Sequence, residues 1–192
     1  MENICLIIDF DGFALKDREF LTRELGYAAM DTDECGVVSF DLSGEPPLDE
    51  SLNHHKSVWY CRNLVHGLPY YPVEGECPLP LHELDQFLLD LYRRHATEYK
   101  KLVAYKGGIC ERNKLGQLGI PHVNLEQYEC PRYETLLRMG YDDVSCGLHE
   151  KPRKVKVFHC ALAEVKAFRR WVCDKMKEEA AAVENFPWRC NV

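Results

Sequence analysis

The sequence predicts an α/β domain in which helices flank a mixed five-stranded sheet. Three observations point there. A continuous apolar and β-branched run opens the chain, two more strand-like segments follow across a short polar turn, and beyond residue 48 helical periodicities alternate with short apolar runs. At 192 residues the chain suits one domain. The pattern places that domain at residues 1–184, with a C-terminal tail at 185–192.

Taken in order, Asn3 to Phe10 is apolar on both faces, as a central strand must be. Residues 19–30 and 35–42 predict two further strands, with Asp31-Thr32-Asp33-Glu34 as the turn between them. Asp11-Gly12 predicts the first turn, so the three strands form an antiparallel meander that Gly44-Glu45-Pro46-Pro47 ends. Leu52, Val58, Trp59 and Leu64 recur at helical spacing over residues 48–64, with Trp59 assigned to the core and His66-Gly67 as the stop. Residues 68–80 carry Pro69, Pro72, Pro78 and Pro80 and predict an extended loop. From His82 to His95 the positions Leu84, Phe87, Leu88, Leu91 and Tyr92 give an amphipathic helix. A strand at 101–105, a helix at 111–118 stopped by Gly119, and a strand at 122–125 follow. Pro131 opens a helix running to Met139, and 160–183 forms the long final helix, with Leu162, Val165, Phe168, Val172 and Met176 on its apolar face. The tail is ordered only insofar as Phe186 and Trp188 dock.

Composition narrows the function. Hydrophobic residues at 46% and charged residues at 29% match an ordinary folded domain. No apolar run approaches the roughly 18 residues that span a bilayer, and Asp9 and Asp11 interrupt the first apolar stretch too early for an export signal. The expectation is therefore a cytoplasmic or nuclear protein, not secreted, without a membrane partner. Ten cysteines in such a chain read as thiols or metal ligands rather than disulfides. The net charge of −7 argues against a broad basic footprint for nucleic acid. A local strip stays open, because basic residues gather at Arg93/Arg94, Lys100/Lys101, Lys151 to Lys156 and Arg169/Arg170. Acids gathered around metal ions would account for part of the negative balance.

Two constellations carry chemistry. Cys146-Gly147-Leu148-His149 is a C-x₂-H pair across a tight glycine turn, a spacing that brings two ligands to one tetrahedral Zn²⁺, and Cys160 supplies a third. The plain alternative is a buried cysteine beside an exposed histidine. The second constellation is acidic. Ile7-Ile8-Asp9-Phe10-Asp11-Gly12-Phe13, then Val103 to Gly108 followed by Glu111, then His159-Cys160-Ala161-Leu162-Ala163-Glu164 resemble, in chain order, the three motifs of the RNase H-like exonucleases of the DEDDh type. Taken singly, each acid has a plainer reading: a strand-to-turn signal at Asp9 and Asp11, helix-dipole stabilisation at Glu111, a surface charge at Glu164.

The resemblance implies the exonuclease-type fold and a two-metal site in which Asp9, Asp11, Glu111 and Glu164 hold Mg²⁺ or Mn²⁺. His159 would activate the attacking water, and the substrate would be single-stranded RNA or DNA hydrolysed from the 3′ end. Asp11 stands where the family has Glu, and Glu111 and Glu164 where it has Asp, changes of one methylene or about 1.5 Å each. The stretch from Cys146 to Lys166 is also similar to the Maelstrom domain of the germline small-RNA pathway, an exonuclease-type fold with a Glu-Cys-His-Cys zinc site. That similarity carries the zinc roles onto Cys146, His149 and Cys160. It points to Glu24, in Glu24-Leu25-Gly26, as the fourth ligand, with His159 competing. It also implies an alternative to catalysis, a silent zinc-stabilised module that holds RNA, the preferred partner, or another protein. Other features take bland readings: Lys106-Gly107-Gly108 a strand-to-helix turn, His54-His55 a solvated face, Tyr133 core packing.

Overall fold

A computed structural model describes residues 1–15, 20–44, 52–97, 101–141, 144–149 and 159–184. Strands β1 (Ile4–Ala14), β2 (Phe20–Ala29) and β3 (Cys35–Asp41) form the antiparallel meander. On the free side of β1, β5 (Leu102–Tyr105) and β6 (His122–Asn124) add in parallel. Among the described residues the sheet has six strands, in the order β4-β3-β2-β1-β5-β6. The extra one corrects the expected five: β4 (Leu79–Pro80), within the proline-rich segment assigned to a loop, pairs in parallel with β3. Pro80 is tolerated because an edge strand needs no inward N–H at every position.

Strand alternation sorts the core into two layers. Ile7, Ala28, Ala104 and Val123 pack beneath α4 (Tyr133–Arg138) and α5 (Ala161–Glu184), which contribute Leu136, Val165, Phe168 and Trp171. Leu6, Ile8, Phe10, Leu25, Val103 and Tyr105 face the other way, beneath α2 (Leu84–His95) and α3 (Ile109–Gln117). Leu84, Leu88, Leu91 and His95 form the buried stripe of α2, the spacing the sequence displays. A smaller cluster of Phe13, Leu15, Leu21, Leu42 and Tyr70 is closed by Val58 and Cys61 of α1 (Leu52–Leu64).

Two further expectations are corrected. Asp11-Gly12 is not a turn. β1 runs on to Ala14 through a bulge between these residues, and at Gly12 an added Cβ would lie 2.2 Å from the Leu21 carbonyl oxygen. Trp59 is not core but 59% exposed. Helical spacing located α1, yet α1 docks through Val58 and Cys61, so the neighbouring ring faces out. The start of the second strand at residue 19, the Glu45-Pro46-Pro47 stop, residues 48–51 of the α1 segment, Lys100, the basic run Lys151 to Lys156 and the tail 185–192 lie outside the described residues.

One buried ion pair fixes the proline-rich segment to the meander. The side chains of Arg23 and Glu76 are 1% and 4% exposed. Nη1 and Nη2 of Arg23 donate to Oε1 and Oε2 of Glu76 at 2.7 and 2.6 Å, and Nε donates to the Pro69 carbonyl at 3.0 Å. Burial opposes the Glu76 carboxylate, but hydrogen bonds from Arg23 and Ser39 outweigh it and lower its pKa. A lowered folded-state pKa contributes stability above the ordinary Glu range, lost as pH falls through the folded value. Arg23→Met leaves Glu76 buried and unpaired and should cost about 3–5 kcal/mol in urea unfolding at neutral pH. Part of the stability that the parent loses on acidification should be missing from the variant; equal stability of the two at pH 7 would show the pair to be energetically idle.

Candidate functional site

The β1–β2 register sets the site. Asp9 lies opposite Gly26 and Asp11 opposite Glu24, so the i, i+2 alternation turns Asp9, Asp11, Glu24 and Gly26 toward the α5 side. α5 begins directly on Gly26: a Cβ there would fall 2.3 Å from the Ala161 carbonyl oxygen. Only glycine admits that approach. The N–H of Ala161, the first residue of α5, donates to Asp11 Oδ2 at 2.9 Å, where the helix dipole also favours a carboxylate. Cys160 therefore arrives, fully buried, beside Glu24.

Around Glu24, 0% exposed, four donors close into one cluster. His149 Nε2 lies 3.0 Å from Glu24 Oε1, Cys146 Sγ 3.1 Å from Oε2, and Cys160 Sγ 4.0 Å from Oε1. One ligand atom from each of Glu24, Cys146, His149 and Cys160 lies within 4.8 Å of all the others. Gly147, at φ 85°, makes the turn that lets Cys146 and His149 converge. Two thiols, an imidazole and a carboxylate at these separations fit a tetrahedral ion such as Zn²⁺, whose ligand atoms sit about 2.0–2.3 Å from the metal. The fourth member is Glu24 and not His159, whose ring engages Glu164 instead.

Charges in the cluster are arranged for a cation. Burial presses the His149 imidazolium down, but hydrogen bonds to Cys160 and Glu24 outweigh it and raise its pKa to about 10. The bond between the thiols lowers Cys160 and raises Cys146, which burial and Glu24 push further up. Protons thus occupy positions that a metal would take over. Behind the cluster, His149 Nδ1 donates to the His66 carbonyl, which leaves Nε2 as the ligand atom. The buried ring of His66 donates from Nε2 to the Gly12 carbonyl at 2.9 Å and accepts from Leu68 N–H at 3.1 Å. His66 thereby links the cluster to the β1 bulge. Sequence reasoning treated it only as a helix stop, and nothing in its spacing signals more.

The acidic set converges next to this cluster. β5 pairs with β1 only as far as Ile7, and beyond that point the Phe10 N–H donates to Glu111 Oε1 at 3.1 Å. Glu111 stands in the first turn of α3, where Gly108 leaves room for it; a Cβ at Gly108 would overlap its Oε2 at 1.5 Å. That Oε2 is buried without a hydrogen-bond partner. Glu164, in the first turn of α5, binds His159 Nδ1 through Oε1 at 2.5 Å. Burial and then the charges of Glu164, Glu111, Asp11 and Glu24 push Asp9 well up. Burial, Glu164 and Glu24 do the same to Asp11. Burial raises Glu111, and the Glu164 bond raises His159. A cleft of about 350 Å³ opens on the α3 side of the sheet, lined by Phe10, Ala14, Phe20, Thr22, Ile109 and Asn113, and none of the four acids lines it.

No family model, curated protein or solved structure compared with the chain matches it. Among the described residues, no helix is long and apolar enough to cross a membrane. Several of the basic residues singled out in the sequence are engaged locally: Arg93 with Asp90, Arg94 with Glu34, Arg169 with Asp33 and the Thr32 carbonyl, and Arg170 with the Gly140 carbonyl.

Loss of the ion from the four-donor cluster should remove the stabilisation a tightly held ligand gives, about 3–4 kcal/mol at a hundred- to thousandfold excess over Kd. In a chain of this size that is ~10 °C in Tm. A strong chelator and Cys160→Ser should each produce it, and the purified chain should carry one equivalent of zinc by elemental analysis. A chain that carries no metal and melts unchanged in chelator has no such centre.

Proposed function

We propose that the chain is a nuclease-like domain of the RNase H-like, DEDDh-exonuclease type, with Maelstrom-like zinc at Glu24, Cys146, His149 and Cys160. Its substrate is single-stranded RNA or DNA, hydrolysed 3′ to 5′. One observation carries this reading: Asp9, Asp11, Glu111 and Glu164, drawn from β1, α3 and α5, crowd together, with the pKa values of Asp9, Asp11 and Glu111 raised by burial and by one another's charges and with one buried, unpartnered oxygen on Glu111. Such a set fits hard divalent cations, which take carboxylate oxygens. Bound there, Mg²⁺ or Mn²⁺ supplies activation of water and stabilisation of the leaving oxygen.

The protein's own part follows from its residues. Glu164 can only accept from His159, so it holds the proton on Nδ1 and leaves Nε2 as the basic nitrogen for a water proton. Its second oxygen is left to the metal site. The cleft beside Phe10 and Ile109 has the volume and mixed lining for a base and sugar, which fits a strand whose bases are unpaired. The antiparallel meander extended by two parallel strands, with helices on both faces, supports the exonuclease-type reading. The Glu-Cys-His-Cys cluster supports its Maelstrom-like variant.

A second reading is the zinc-stabilised, catalytically silent module that binds RNA or protein. It is favoured by the internal use of two acids, Glu111 on the Phe10 N–H and Glu164 on His159. These bonds give both residues a purpose in the fold alone.

Two measurements separate the readings. Millimolar Mn²⁺ should raise the Tm of the parent, because cations relieve the carboxylate repulsion. Asp9→Asn should melt higher than the parent without divalent ions, since one repelling charge is gone, and should lose the Mn²⁺ increment. End-labelled single-stranded RNA and DNA should be shortened by the parent with Mg²⁺ or Mn²⁺ and left intact by the Asp9→Ala/Asp11→Ala double variant, a fall of at least about 10³-fold. Strands untouched by both proteins, with no thermal response to Mn²⁺, select the silent module.

A further inference from the structure

α1 carries a feature that neither metal centre uses. Trp59 and Tyr60 stand 59% and 56% exposed on it. Lys56 precedes them by three and four positions, which puts the three side chains on one helix face. With His55 they line a shallow groove of about 460 Å³. From Leu52 to Val73 the chain holds no Asp or Glu, while Lys56 and Arg62 are cationic, on a molecule whose net charge is −7. An aromatic pair within the longest acid-free stretch of an acidic protein is complementary to an anionic partner with flat apolar faces. Single-stranded nucleic acid has that chemistry: phosphates for the lysine, bases for the rings. A duplex hides its base faces and an acidic peptide lacks them.

The position of α1 fits the same partner. Ser57 Oγ donates to the Ala14 carbonyl at 2.6 Å, fastening α1 to the end of β1 three residues beyond Asp11. α1 is thus attached to the same strand that carries Asp9 and Asp11.

We infer that Trp59 and Tyr60 form a base-stacking platform on α1 that holds single-stranded RNA or DNA running from the acidic set at the end of β1. This rests on the nuclease-like reading for the path of the strand, whereas its test needs no hydrolysis. The probe is a labelled 20-nucleotide oligouridylate, titrated with the zinc-containing full chain without added Mg²⁺ or Mn²⁺. Trp59→Ala/Tyr60→Ala should weaken binding about tenfold or more, and Trp59→Phe/Tyr60→Phe, which keeps the stacking faces, should stay within about threefold of the parent. Part of the tryptophan emission should be quenched by the RNA, and that part should be lost in Trp59→Phe. A duplex of equal length should bind more weakly than the single strand.

Equal affinity of parent and alanine variant overturns the platform and leaves the hydrolytic reading standing. Aromatic-dependent binding by a chain that cleaves nothing supports the platform and removes the hydrolytic reading. No binding by the parent, or a parent dimer in sedimentation that the alanine variant breaks, overturns the platform and in the second case assigns this face to a second copy of the chain.

Discussion

Asp11 and Glu24 face one another across the β1–β2 pair on the buried side of the sheet, with Asp9 two residues further along. Directly opposed like charges destabilise a strand pair, and burial removes the water that would screen them. The register is fixed by hydrophobic alternation through Leu6, Ile8, Leu25 and Ala29, so the chain cannot relieve the clash by slipping one residue without exposing that core. Relief comes from protonation, toward which the raised pKa values of Asp9 and Asp11 point, and from positive charge brought in from elsewhere. On the Glu24 side it comes from His149 and the position for a metal. On the Asp11 side it comes from the N-terminus of a 24-residue helix. The other acids of the set add to the demand.

The two centres share one joint. Cys160 belongs to the four-donor cluster, Ala161 binds Asp11, His159 binds Glu164, and these three backbone positions are consecutive. Whatever fixes Cys160 therefore also fixes the start of α5, and with it the orientation of the histidine and glutamate beside the acids. His66 makes a second tie, from the backbone behind His149 to the bulge at Gly12. An ion held by the four donors would set the geometry of the acids beside it without contacting them.

Much of this was legible in the sequence because it follows local rules. The meander, α2 and α5 rest on periodicity, and the donor set rests on spacing. Glu24 was indicated only by the similarity to the Maelstrom domain, through a shared Glu-x-Gly context, for which the structure supplies a reason: Gly26 is where α5 passes within contact of β2, so the glutamate two residues away reaches the loop before that helix. What escaped depends on contacts remote in the chain. β4 exists because β3 has an open edge, not because Leu79-Pro80 favours a strand. The bulge at Gly12 reads as a turn until β2 is seen beside it. Trp59 falls at the same helical spacing as the inward residues of α1, and only the docking through Val58 and Cys61 shows that it points away. The role of His66 joins its backbone carbonyl, on His149, to its ring, on the Gly12 carbonyl, and both partners are backbone or distant groups that no local pattern reports.

Glu24 and Cys160 are 136 positions apart. During synthesis all six strands of the sheet are made before the residues that neutralise its α5 face. Until then Asp9, Asp11 and Glu24 must stay wet, and the layer beneath α5, from Ile7 to Val123, has no lid. A chain broken or terminated ahead of residue 160 would hold six strands' worth of sequence and no means of closing them. Such a fragment exposes apolar surface and belongs to the proteins that chaperones and proteases handle. For this molecule α5 is a quality check: only a chain that has reached α5 can bury its own acids.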